Sequence, residues 1–106
     1  MKLATMHPTA ERELGEITDY YAAIAAELAD AFVGCFESYK ARIVENPLQF
    51  SIRRGAVRRA NLAPQFGEYY LPFMIQKNRV VILAVAHARR RPHYWRDRIG
   101  EAKKLA

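Results

Sequence analysis

The residues best able to do chemistry crowd into one stretch, His87-Ala88-Arg89-Arg90-Arg91-Pro92-His93-Tyr94-Trp95. His87 carries an imidazole whose reference pKa lies near neutrality, so it can serve as a general acid or base. The same ring at a strand end can equally do no more than bond to backbone, and spacing fixes no second catalytic group beside it. Arg89, Arg90 and Arg91, with Arg58 and Arg59 upstream, offer guanidinium forks that grip phosphates or carboxylates two-pronged. Tyr69, Tyr70, Tyr94 and Trp95 can stack on bases or on arginine planes. Trp95 and Tyr69 also read as core residues that close the edge of a sheet.

Other chemistries leave no trace in the sequence. It has no Gly-rich phosphate loop, no Ser/His/Asp spacing and no HExxH. One cysteine and three scattered histidines make no metal-ligand pattern, and no cofactor is expected. Cys35 cannot form an internal disulfide; it reads as a buried small hydrophobe, which fits a reducing cytoplasm. Met1 to Thr9 has no apolar h-region, and no apolar run approaches the ~20 residues that span a bilayer.

The charge is unevenly placed. Residues 1–46 carry four basic and eight acidic side chains, net −4, whereas residues 47–106 carry thirteen basic and three acidic, net +10. Such a basic half favours polyanionic partners, nucleic acid or an acidic protein segment, although charge of this kind also serves solubility alone. With 106 residues, 51% hydrophobic and 26% charged, the chain suits one folded domain rather than a disordered one.

The elements that must position these residues follow from periodicity. Lys2 to Met6 fits a brief first strand. His7-Pro8-Thr9 opens a helix, with Pro8 in the first turn and Glu11, Glu13 and Glu16 near the positive end of the dipole. Leu14, Ile17, Tyr21, Ile24 and Leu28 make one apolar helical face; Phe32, Phe36, Tyr39 and Ile43 make a second, ending at Asn46-Pro47. A break near Ala25 to Ala29 turns this long span into a helical hairpin. Pro47 to Gly55 reads as a loop, Ala56 to Leu62 as a strand, and Tyr69 to Gln76 as a stronger strand. Pro72, lacking an N–H, should fall at a bulge or a locally unpaired position. Lys77-Asn78 is a tight turn, and Arg79 to Ala88 returns as a central strand that ends in the arginines. Pro92 to Ile99 can form a short helical turn, and Gly100 to Ala106 reads as a frayed tail. The expected order is β-α-α-β-β-β, an α+β domain over residues 1–106. If the second and fourth strands carry them to the same side, the five arginines meet on one rim.

Taken in this order, the pieces resemble the RelE/ParE superfamily of toxins from bacterial type II toxin–antitoxin systems. The resemblance is carried by the helix opened at Pro8-Thr9-Ala10, the Asn46-Pro47 stop, Val57-Arg58-Arg59 and Tyr69-Tyr70-Leu71. Its most specific part is Ile82-Leu83-Ala84-Val85-Ala86-His87-Ala88-Arg89-Arg90 followed by Tyr94-Trp95. It implies a growth-arresting toxin bound in a hetero-oligomer by a cognate antitoxin. RelE-like members cut messenger RNA on the ribosome; ParE-like members bind and poison DNA gyrase.

Carried over residue by residue, Arg59 falls where the RelE branch has a basic residue, and Arg89 matches a basic position after the last strand. Asn61 stands at the next basic position and Tyr70 replaces an arginine. The catalytic tyrosine falls near Tyr94 or Trp95. Charge stabilisation of a cyclising phosphate needs several donors at once, so the incomplete set and the His-x-Arg-Arg…Tyr-Trp ending point to the ParE and plasmid-stabilisation branch. The expected docking residues are Arg58, Arg59, Tyr70, His87, Arg89, Arg90 and Arg91. The alternatives are a ribosome-dependent endoribonuclease using Arg59, Arg89 and His87 or Tyr94, and an inactive remnant that binds only its antitoxin.

Overall fold

In the computed structural model, which describes residues 3–104, the first strand β1 (Leu3–Met6) lies parallel to β5 (Arg79–Ile82). The pairing is extended by the His7 N–H donating to the Ile82 carbonyl. Helix α1 (Pro8–Ile24) follows at once. His7 caps it, its Nδ1 accepting from the Thr9 N–H, and Pro8 occupies the first turn, where a missing N–H costs nothing. A single extended residue, Ala25, separates α1 from α2 (Ala26–Glu45). α2 stops at Asn46 before Pro47, as Asn-Pro requires.

The expected Pro47–Gly55 loop is more ordered than its sequence suggested. It contains a 3-10 turn (Pro47–Gln49) and a short strand β2 (Ile52–Arg54). β2 pairs with β3 (Val57–Leu62) through a turn in which Gly55 adopts φ 55°, a value that glycine reaches without a Cβ clash. β3 pairs with the long β4 (Phe66–Gln76), and β4 with β5 through the Lys77-Asn78 turn. The main path of the sheet is β1-β5-β4-β3-β2, with β6 (Ala86–His87) also on β4. The α+β architecture is the one expected, a helical hairpin on a largely antiparallel sheet.

The expected Arg79–Ala88 strand is not continuous. It leaves the ladder at Leu83 and rejoins as β6. Pro72 explains the place. It lies between the last β4–β5 pair, Phe73 with Ile82, and the nearest β4–β6 pair, Tyr70 with Ala86. Its carbonyl accepts from the Leu83 N–H, but it has no N–H of its own to offer on that side, so the ladder breaks there.

Alternation along β4 feeds two apolar layers. Tyr69, Leu71 and Phe73 face the helices with Phe32, Phe36 and Ile43. Tyr70 and Met74 face the other way, against Val81, Leu83 and Trp95. That second layer is closed by Pro92–Asp97 turns and by helix α3 (Arg98–Lys104), whose Ala102 is fully buried. The tail is therefore not frayed over residues 100–104: burial of Ala102 and the His7–Glu101 hydrogen bond hold it, and residues 105–106 lie outside the described residues. Ile24, expected on the core face, is 60% exposed as the last residue of α1, before extended Ala25.

Candidate functional site

β6 brings His87 to the sheet's end, where its ring meets Tyr69 edge-on at 4.9 Å. Both ring nitrogens are engaged. Nδ1 accepts from the Arg89 N–H at 3.0 Å, so the proton sits on Nε2, which donates to Glu68 Oε2 at 3.0 Å. The Ala88 N–H donates to the Glu68 carbonyl and the Arg90 N–H to the His87 carbonyl. These bonds fold the chain into a turn that leaves the sheet and sets Arg89, Arg90 and Arg91 on the surface. His87 thus shapes the arginine turn, in line with the backbone-bonding alternative rather than with a free acid or base.

Below the turn lies a cluster that the sequence did not announce. Glu13 of α1 is 7% exposed and accepts four hydrogen bonds. Its Oε1 takes the Val85 N–H at 3.1 Å and Arg98 Nη1 at 2.9 Å. Its Oε2 takes the Tyr94 hydroxyl at 2.8 Å and Arg98 Nη2 at 3.0 Å. Arg98 Nη1 also donates to the Leu83 carbonyl at 3.0 Å. The two side chains therefore supply partners for the backbone groups stranded by the break in the ladder. Arg90 approaches Glu13 at 3.6 Å and lies over the Tyr94 ring at 3.7 Å. Burial first, then the Glu13 carboxylate, pushes the Tyr94 phenol well above its ordinary pKa; Arg90 and Arg98 oppose this in part. Burial, with Tyr21 alongside, does the same to Tyr69. A signal for Glu13 was present: it falls on the Ala10–Ile17 stripe, and so on the buried side of α1.

The five arginines do not form one rim. Arg58 and Arg59 are neighbours on a strand and point to opposite faces. Arg58 Nη1 donates to the Phe50 carbonyl at 2.7 Å. Arg59 lies 3.8 Å from the Tyr70 ring centroid, and its Nε donates to Asn61 Oδ1. Tyr70 is itself buried, its hydroxyl accepting from Trp95 Nε1 at 3.2 Å. Tyr70 is thus a core side chain under Arg59 rather than an open docking residue, and Trp95 is part of the packed closure. What remains exposed at the end of the sheet is the His87–Arg91 turn. Beside it runs a groove of about 450 Å³ between α1 and β6, lined by Glu16, Tyr20, Tyr21, Glu68, His87 and Arg89. Among the described residues no helix is long and apolar enough to cross a membrane.

The fold is thus α+β, a helical hairpin packed on a sheet whose last strand runs into an arginine turn. The family model described as "ParE toxin of type II toxin-antitoxin system, parDE" matches residues 5–92, and the chain belongs to this family. It is a toxin of a type II toxin–antitoxin system, with an antitoxin as partner. Comparison with curated proteins gave no match.

Proposed function

We propose that this toxin arrests growth by binding and inhibiting DNA gyrase in the cytoplasm, as a single toxin domain, and does not cleave RNA. The observation that supports the reading is that three of the four candidate catalytic groups, Tyr94, His87 and Arg59, are already tied to neighbouring groups of the fold. Tyr94 gives its hydroxyl to Glu13, His87 uses both ring nitrogens, and Arg59 is spread over Tyr70 and tied to Asn61. In-line attack by a ribose hydroxyl needs a base and several charge donors converging on one phosphate. Here Arg58 and Arg59 face opposite ways, and the raised pKa of Tyr94 holds its proton in place. Arg89 and Arg91 are exposed, with no acidic partner among the described residues, and suit contact with an acidic protein surface.

A supercoiling assay with purified gyrase tests this. The expected outcome is loss of supercoiling at toxin excess, reversed by the cognate antitoxin. Normal supercoiling together with A-site cleavage of mRNA on programmed ribosomes would transfer the assignment to the endoribonuclease. Normal growth of cells making the soluble toxin alone would mark an inactive remnant.

A further inference from the structure

The face opposite the helical hairpin holds a cavity of about 290 Å³ between the β2–β3 turn and α3. It shares no residue with the groove beside His87. Its apolar lining is Val57, Met74, Trp95 and Ile99, the first three nearly fully buried. Exposed Arg54, Arg96 and Lys103 stand at its mouth. No ion pair among the described residues engages any of these three cations. Three like charges around one opening repel, and a single anion there relieves all of them at once. Ligand pockets are typically apolar, about 300–1,000 Å³, with a few convergent polar groups. This cavity falls just below that range, which limits its occupant to a small molecule, and all its charged groups have one sign.

We infer that this cavity binds a small amphiphilic anion: an apolar chain or single aromatic ring seated on Trp95, with one carboxylate held by Arg54, Arg96 and Lys103. Arginine takes carboxylates through paired N–H donors, and Trp95, Val57 and Met74 supply the apolar surface. An occupant would contact both the β2–β3 turn and α3 and so tie the C-terminal segment to the sheet.

The protein carries its own reporter, because Trp95 is the sole tryptophan. Octanoate, octanol and octyltrimethylammonium share one chain length and differ in head-group charge. Titrated into the intact toxin, octanoate should change Trp95 fluorescence saturably, with Kd on the order of 0.1–1 mM for so small a ligand. Octanol should bind about tenfold more weakly, and the cation should give no saturable response. Amide shifts on octanoate binding should centre on Val57, Met74 and Ile99. The triple variant Arg54→Gln, Arg96→Gln, Lys103→Gln changes only exposed side chains; it should keep its melting temperature and lose about tenfold in octanoate affinity. Equal responses to the three head groups, shifts centred elsewhere, wild-type affinity in the triple variant, or no saturable binding would each overturn the assignment.

Discussion

Glu13 joins three distant parts of the chain, α1, the break after β5 and the C-terminal segment, through bonds to Val85, Tyr94 and Arg98. Both members of the Glu13–Arg98 pair are withdrawn from water, with side-chain exposures of 9% and 13%. Removing one charge strands the other, so Glu13→Gln should cost about 3–5 kcal/mol. Urea denaturation checks this; a loss below about 1 kcal/mol would mean that the pair is worth no more than a surface bridge. Tyr94 gives a pH dependence. Its folded-state pKa is raised above the ordinary 10.0, so the folded protein holds the phenolic proton more tightly than the unfolded chain. That contribution is complete below the ordinary value of 10.0 and is lost as the pH climbs beyond it. Tyr69 acts in the same direction. Tyr94→Phe should therefore flatten the alkaline decline in stability, at a neutral-pH cost of about 1 kcal/mol for the lost hydrogen bond. Urea titrations across alkaline pH measure both.

At the level of elements, the closure of the second sheet face depends on Trp95 and α3. Trp95→Ala should destabilise the fold by about 3–5 kcal/mol, because it opens the layer containing Tyr70, Met74 and Val81 and orphans the Tyr70 hydroxyl. A variant with unchanged melting would contradict this. The helices and β4 were legible because their periods are unbroken: Phe32, Phe36 and Ile43 recur on one face, and Tyr69 to Met74 alternate between two buried layers. The hairpin break was only approximately legible, since alanines on both sides of Ala25 suit helix and turn alike. α3 was not, because Gly100 interrupts a short segment with little apolar periodicity; the burial of Ala102 and the long-range bonds of Arg98 and Glu101 hold it. The arginine turn could be placed from the sequence. Its support could not: the helical stripe hints that Glu13 is buried, but its partner Arg98 lies 85 positions away and nothing local signals the pairing. Convergence of Arg58 with Arg59 failed on the simplest of strand rules, that adjacent side chains point oppositely.

For the whole molecule, the net +6 and the concentration of +10 in residues 47–106 set how a partner arrives. The proposed binding to gyrase, if it runs through the Arg89–Arg91 turn, should weaken as ionic strength rises, since exposed charges steer encounter and salt screens them. Arg89→Ala with Arg91→Ala should change folding stability by less than about 0.5 kcal/mol yet raise the toxin concentration needed for inhibition about tenfold. Thermal melting and a supercoiling titration separate the two effects; equal inhibition by the double variant would place the docking surface elsewhere. The pairing of Glu13 with Arg98, and of His7 with Glu101 at 2.9 Å, also orders events in time. Residues near the start of the chain wait for residues near its end, and contacts of such separation form late because a long loop must close first. A chain synthesised only as far as β6 therefore lacks the closure of its second core layer by Trp95 and Ala102. At the break after Ile82, the Leu83 carbonyl gains its Arg98 partner only once α3 has been made.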